Sequence, residues 1–200
     1  MTRNTPGVYI EEISTLPASI APVATAIPAF IGYTEKAVRN GEDLTNIPTR
    51  ITSMLEYEQY FGKGQKAIFS ISIKDTYQDA DPSPSLLVRS IAAALAQAPT
   101  YILYYSMQLY FSNGGGPCYI VSVKDYEEGA VEAEALKRGL EATEKVDEPT
   151  LYVFPDAIKL DQGAYGGLVK VALGLCNKLQ DRFTIADVVD VEAKVEPVSY

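Results

Sequence analysis

Three aspartates are the residues of this sequence whose spacing most suggests chemistry. Asp125, Asp156 and Asp187 lie 31 residues apart in each step, each at or just beyond a segment with the apolar pattern of a buried strand. Open α/β sheets place ligands at the carboxyl ends of parallel strands, where clustered carboxylates could hold Mg²⁺ for phosphoryl transfer or hydrolysis. Helix caps and turn residues at equivalent places in repeated βα units also explain the spacing. Both readings remain open at this stage.

Other chemistry is restricted by what the sequence lacks. The chain has no histidine, which excludes Ser-His-Asp and Cys-His catalysis and His-ligated zinc. The run Asn113-Gly114-Gly115-Gly116 follows a predicted helix and precedes a strand, the reverse of the order in phosphate-binding loops, so it is predicted to be a helix C-cap turn.

Charge and cysteine content narrow the partners and the compartment. The 17 basic and 26 acidic residues give a net charge of −9, and without a basic patch this excludes nucleic acid as a partner. Cys118 and Cys176 are predicted to be buried free thiols, as in a reducing compartment. With no signal-peptide core and no apolar run of about 20 residues, the chain is expected to be soluble and made in the cytoplasm, without membrane insertion.

The first half of the chain gives mixed signals. Residues 26–34 have the apolar composition of a buried strand. Ser53 and Glu56 form a capping-box pattern, which predicts a short helix that ends at Gly62. The other predictions here are a polar loop or small insertion at residues 64–84, a helix at residues 85–98, and a further helix capped by Thr100.

The second half alternates between apolar strands and amphipathic helices. This order predicts parallel βαβ connections with right-handed crossovers. The expected fold class is therefore α/β, with a partly parallel sheet flanked by helices and a βαβαβ unit at residues 118–189. Its elements are strands at 118–123, 150–154 and 183–189 and helices at 130–145 and 164–179.

The N-terminal segment is predicted to be an extended arm. Prolines and a glycine bracket one short alternating segment, which has no hairpin partner nearby in the sequence. Such a strand must pair with a distant segment or with another subunit. The residues of this candidate inter-subunit strand are Val8, Tyr9, Ile10, Glu11, Glu12 and Ile13.

Six segments in register resemble contractile tail sheath proteins of myophages and of phage-tail-like extracellular contractile injection systems. They span most of residues 5–189 in the family's order. They are TPGVYIEE at 5–12, VATAIPAFIGYT at 23–34, ITS at 51–53 with EYEQYFG at 56–62, YFSNGGGPCYIV at 110–121, DEPTL at 147–151 running to Asp156, and DRF at 181–183.

The resemblance implies a structural function, with no enzymatic activity, no catalytic residue, no cofactor and no metal. Sheath subunits polymerise helically around an inner tube and contract to drive that tube through a target envelope. The implied partners are further copies of the chain or related sheath proteins, the inner tube protein, and baseplate and tail terminator proteins. The protein would be made in the bacterial cytoplasm and assembled into a phage tail or an extracellular contractile particle. Residues 1–22 would then be the exchanged arm and residues 23–200 an α/β core domain, incomplete because family members usually continue beyond the equivalent of Tyr200.

Overall fold

The computed structural model describes residues 26–78, 85–126 and 129–188, and a five-stranded sheet lies at its centre. The arm, including the candidate strand at residues 8–13, lies outside the described residues. Within them the strands are β1 (Pro28–Gly32), β2 (Val38–Arg39), β3 (Glu42–Asp43), β4 (Thr49–Ile51), β5 (Ile68–Gln78), β6 (Ser85–Gln97), β7 (Cys118–Ser122), β8 (Leu151–Val153) and β9 (Phe183–Thr184), and the helices are α1 (Met54–Phe61), α2 (Leu103–Ser112), α3 (Ala133–Ala142) and α4 (Gln162–Leu179).

The central sheet is partly parallel, as the sequence predicts. Its strand order is β4-β7-β1-β8-β9, in which β7, β1, β8 and β9 are parallel and β4 runs antiparallel to β7. The βαβαβ unit is confirmed as β7-α3-β8-α4-β9, but its last strand is shorter than predicted, because β9 ends at Thr184 and the described residues 185–188 are not in a strand. Its first two strands are not neighbours, however, because β1 lies between them and pairs with both.

Helices cover both faces of this sheet, because its central strands are apolar on both sides. In β1, Ala29 and Ile31 pack into one buried cluster with α3 and α4, whereas Phe30 packs into a second cluster with α1 and α2. Strand β7 alternates in the same way, with Val121 on the first side and Ile120 on the second. A strand buried on both faces reads as a continuous apolar run, which is why both were recognisable in the sequence.

The short helix α1 begins and ends where the sequence predicts. The Ser53 hydroxyl accepts a hydrogen bond from the Glu56 amide at 3.3 Å. The Glu56 carboxylate accepts from the amide and the hydroxyl of Thr52, at 2.6 and 2.9 Å, so the return bond of the capping box is displaced by one residue. Gly62, with φ of +79°, ends the helix.

The predictions of a loop or insertion at residues 64–84 and of a helix at residues 85–98 are wrong for the described residues, and residues 79–84 lie outside them. Strands β5 and β6, which are 11 and 13 residues long, form an antiparallel two-stranded sheet of their own. In β5 the order Phe69-Ser70-Ile71-Ser72-Ile73 alternates apolar and polar residues and favours a strand. The residues of β6 are rich in Ala and Leu, which favour a helix. They form a strand because pairing with β5 outweighs this intrinsic helix propensity.

Helix α2 starts later than predicted and without the predicted cap. Its N-cap residue is Ile102 rather than Thr100, and no side chain of the cap residue bonds to the helix. At the other end the C-cap turn is confirmed, since Asn113 caps α2 and Gly114 follows with φ of +81°. No helix in the described ranges has both the length and the hydropathy required to cross a bilayer.

Candidate functional site

Asp156, one of the three spaced aspartates, is a fully buried carboxylate that joins three elements. It lies in a 3₁₀ segment (Pro155–Lys159) directly after β8. Its Oδ1 accepts hydrogen bonds from the amides of Ile102 at 2.6 Å and Leu103 at 3.1 Å, and its Oδ2 accepts from the amide of Tyr33 at 2.7 Å. Asp156 therefore supplies the missing N-terminal cap of α2 from 53 residues away in the sequence.

The electrostatics of Asp156 combine two opposed effects. Burial raises the pKa of the carboxyl group, and this effect exceeds the lowering of the pKa by the three amide donors. The site is also closed sterically, because a Cβ added at Gly32 would lie 2.5 Å from Asp156 Oδ2. Nothing larger than glycine fits there unless the carboxylate moves.

Tyrosine rings pack near this carboxylate. Tyr33 stacks on Tyr101 with ring centroids 4.7 Å apart, and Tyr101 stacks on Tyr126 at 5.1 Å. On the other side of the sheet, Tyr57 is fully buried against Tyr104 and Phe61. Burial raises the pKa of Tyr57 far above its ordinary value. These rings pack against one another in the interior of the fold.

Asp125 and Asp187 occupy different surroundings from Asp156. Asp125 is exposed and borders a cavity of about 270 Å³. Asp187 is exposed beyond β9, and its backbone carbonyl accepts a hydrogen bond from the Tyr165 hydroxyl at 2.8 Å. The other residues that line the cavity are Glu35, Lys36, Ala37, Val38, Asp43, Thr45 and Ser122.

The three aspartates do not form a metal centre in this arrangement. Within the part of the chain that the structure describes, no group of three or more carboxylate or thiol side chains is placed to hold a metal ion. The carboxylate of Asp156 is enclosed and already accepts three hydrogen bonds. Its position matches the reading of the spacing as caps and turns, whereas the catalytic alternative has no clustered ligands here to support it.

A buried arginine network was missed in the sequence. Arg182 is 3% exposed and forms a bidentate ion pair with its chain neighbour Asp181, at 2.6 and 3.0 Å. It also donates to the Tyr152 hydroxyl at 2.9 Å, and that hydroxyl is 3.0 Å from the Thr143 hydroxyl. The network ties the end of α3 to β8 and to the start of β9. Adjacent opposite charges are a common surface pattern, so no local signal in the sequence indicates that Arg182 is buried.

A row of exposed apolar side chains lies on the β5–β6 hairpin. Phe69, Ile71, Ile73, Ile91 and Leu95 are each between 55% and 67% exposed. The strand register puts Phe69 opposite Leu95 and Ile73 opposite Ile91, so the five side chains share one face. We call this set the apolar stripe.

The two cysteines are both free thiols. Cys118 is buried, as predicted, and burial raises its pKa to about 12. Cys176 is only partly buried.

Comparison with known proteins adds no family assignment. No protein-family model matches this chain, and no curated protein matches it.

Proposed function

We propose that this chain is a structural, non-enzymatic subunit of a contractile tail sheath, which polymerises helically around an inner tube and contracts to drive that tube through a target envelope. The resemblance of six ordered segments suggests this function. The observation that carries it further is the apolar stripe, because a row of five large side chains this exposed is typical of a surface that another protein covers.

Some residues of the segments that carry the resemblance stabilise this fold. Gly32 and Tyr33 contact Asp156, Ser53 caps α1, and Arg182 lies in a buried network.

The N-terminal arm is proposed to link neighbouring subunits by adding a strand to a neighbour's sheet. A segment the length of residues 8–13 can form about four to six backbone hydrogen bonds, each contributing roughly 0.5 to 1.5 kcal/mol net, so one junction contributes several kcal/mol. Repetition around a helical lattice makes such modest links collectively strong.

The experiment compares Ile10→Pro with Ile10→Val in the full chain. Proline removes a backbone donor from the strand, whereas valine keeps both the donor and the strand preference. We expect helical tubes or rings of the unmodified chain and of Ile10→Val by negative-stain microscopy, and at least a tenfold lower polymer yield for Ile10→Pro with an unchanged thermal unfolding curve. A chain that stays monomeric at high concentration would contradict the sheath function, and equal yields for the two variants would contradict the role of the arm.

A further inference from the structure

The second side of the central sheet, the side of α1 and α2, has an uncovered half. The buried cluster of these two helices takes its strand residues from β4, β7 and β1, with Val153 of β8 at its margin. Leu151 lies on the same side as Val153, because both alternate with Tyr152 of the first cluster. The register aligns Leu151 with Phe183 of β9, which is 74% exposed. The helices described on this side therefore leave the outer strands uncovered.

An apolar groove borders this half of the sheet. It has a volume of about 440 Å³, and the residues of β1, of α2 and of the glycine turn after α2 that line it are all uncharged. They include Phe30 and also Leu109, which is 67% exposed. Phe30 lies beside Val153 in the strand register, so the groove continues into the uncovered strands. We call Leu109, Tyr110, Leu151, Val153 and Phe183 the second-side patch.

The chain enters β1 at the edge of this patch. Pro28, the first residue of β1, pairs with Leu151 and lies on the same side of the sheet as Phe30. Ala26, where the described part of the chain begins, has φ of +69°, so the backbone turns before it enters the strand. At about 3.3 Å per residue, Ala26 lies roughly 13 Å from Phe30. Residues 1–25 therefore join the core next to the patch.

The segment directly before Ala26 has the composition of a chain that is buried. Residues 13–25 contain no charged residue, and their large apolar residues are Ile13, Leu16, Ile20 and Val23. Removal of such side chains from water is favourable, and a groove without charges imposes no desolvation of an ion on either partner. The segment and the patch therefore match in chemistry.

The segment that follows β9 suits the patch less well. Between residues 189 and 196 every second residue is charged, namely Asp190, Glu192, Lys194 and Glu196. Placing this segment in the groove would bring charged side chains against residues that offer them no opposite charge. Residues 13–25 carry no such cost.

The N-terminal segment is also long enough to cover the patch. Ile20 and Leu16 precede Ala26 by six and ten residues, which span up to about 20 and 33 Å of extended chain. Neighbouring strands lie about 4.8 Å apart, so Phe183 is roughly 10 Å across the sheet from β1. The segment can therefore occupy the groove and continue over β8 and β9.

We infer that residues 16–23 dock on the second-side patch of their own chain and anchor the N-terminal arm there. The anchor itself does not rest on the proposed function. Combined with that function, it limits the reach of the exchanged strand, because Val8 precedes Leu16 by eight residues, or at most about 26 Å of extended chain. The sheet edge of the neighbour that receives the arm then lies within this distance of the patch.

The first test is disulfide cross-linking of the full chain in a Cys176→Ser background, in which buried Cys118 is the remaining native thiol. Ile20→Cys is combined either with Leu109→Cys in the patch or with Leu173→Cys. Leu173 is a matched control, because it is an exposed leucine on α4, which packs on the first side of the sheet. Under mild oxidation we expect at least about tenfold more disulfide within one chain for the Leu109 pair, measured by mass spectrometry of the non-reduced monomer.

The second test uses stability and needs no cysteine. Ile20→Asp puts a charge at an apolar position of the segment, and Ser19→Asp puts the same charge at the adjacent polar position. We expect Ile20→Asp to lower the urea midpoint by roughly 1 M, from the lost burial of one isoleucine, and Ser19→Asp to leave it unchanged. The measurement is repeated at two protein concentrations, because a contact within one chain gives the same shift at both.

Four results would overturn the inference. They are equal linking to Leu109→Cys and Leu173→Cys, a disulfide that joins two chains, a disulfide from Val195→Cys to Leu109→Cys in place of the one from Ile20→Cys, and equal urea midpoints for the two aspartate variants. Each of these leaves the sheath function standing. The expected disulfide in a chain that never forms tubes or rings would support the anchor and contradict the sheath function.

Discussion

Replacement of Asp156 by alanine should destabilise the fold by about 3 kcal/mol. The change leaves the buried amides of Tyr33, Ile102 and Leu103 without an acceptor. Each such loss costs roughly 1 to 3 kcal/mol, and removal of a carboxylate whose burial is itself unfavourable offsets part of the total. Asp156→Asn keeps the shape but turns an NH₂ group towards at least one amide donor, so we expect a loss of about 2 kcal/mol.

Asp161 provides the matched control. It also caps a helix, since its carboxylate accepts from the Ala164 amide at 2.9 Å, but it is exposed and water can replace it. Asp161→Ala should therefore cost only about 1 kcal/mol.

The assay is equilibrium unfolding in urea, followed by far-ultraviolet circular dichroism. For a slope near 2 kcal/mol per M, the midpoint of Asp156→Ala should fall by roughly 1.5 M, with an unchanged slope. If Asp156→Ala loses no more stability than Asp161→Ala, the carboxylate is not the internal cap that its geometry indicates.

The same variants give a signature in pH. Because burial raises the pKa of Asp156, the folded protein takes up this proton before the unfolded chain does as the pH falls. The free energy of unfolding should thus increase, relative to Asp156→Asn, as the pH falls through the raised pKa towards the ordinary value of about 3.9. If the difference in free energy of unfolding between the unmodified chain and Asp156→Asn became smaller as the pH fell through this range, the pKa of Asp156 would not be raised.

Two further predictions concern packing and thiol chemistry. Gly32→Ala should destabilise the fold by about 2 to 4 kcal/mol, because its Cβ would lie 2.5 Å from the Asp156 carboxylate. The control, Gly166→Ala, lies at an exposed helix position with no atom within 4 Å of its Cβ and should stabilise the fold by about 0.5 to 1 kcal/mol. Equal urea midpoints for the two variants would refute this prediction. Iodoacetamide at pH 8 should modify Cys176 well before Cys118, because Cys118 is buried and its pKa is raised to about 12. In urea the reagent should modify both thiols at equal rates. Mass spectrometry of the modified peptides measures both rates.

The parts of the fold predicted correctly are those whose signal is local or continuous. Strands β1 and β7 are buried on both faces and give unbroken apolar runs, and α1 carries its own cap in Ser53. The βαβαβ order follows from the alternation of strands and helices. The position of β1 between β7 and β8 depends on pairing across the chain, and no local pattern encodes that choice.

The hairpin was predicted wrongly because two local signals conflicted. The composition of β6 favours a helix, while the alternation in β5 favours a strand, and the pairing of the two decides the outcome. The cap of α2 was assigned to Thr100 for a related reason, since the acceptor that replaces it comes from Asp156 far along the sequence. The 31-residue spacing of the aspartates singles out Asp156, but it does not distinguish a metal ligand from a helix cap.

The central position of β1 has a consequence for synthesis on the ribosome. Ala29 pairs with Tyr119 and Tyr152, which emerge 90 and 123 residues after it. The middle of the sheet is therefore made first and must wait for both of its flanking strands, a topology that slows folding and leaves nascent apolar segments open to chaperones. The hairpin, whose strands are close in sequence, can form during that wait.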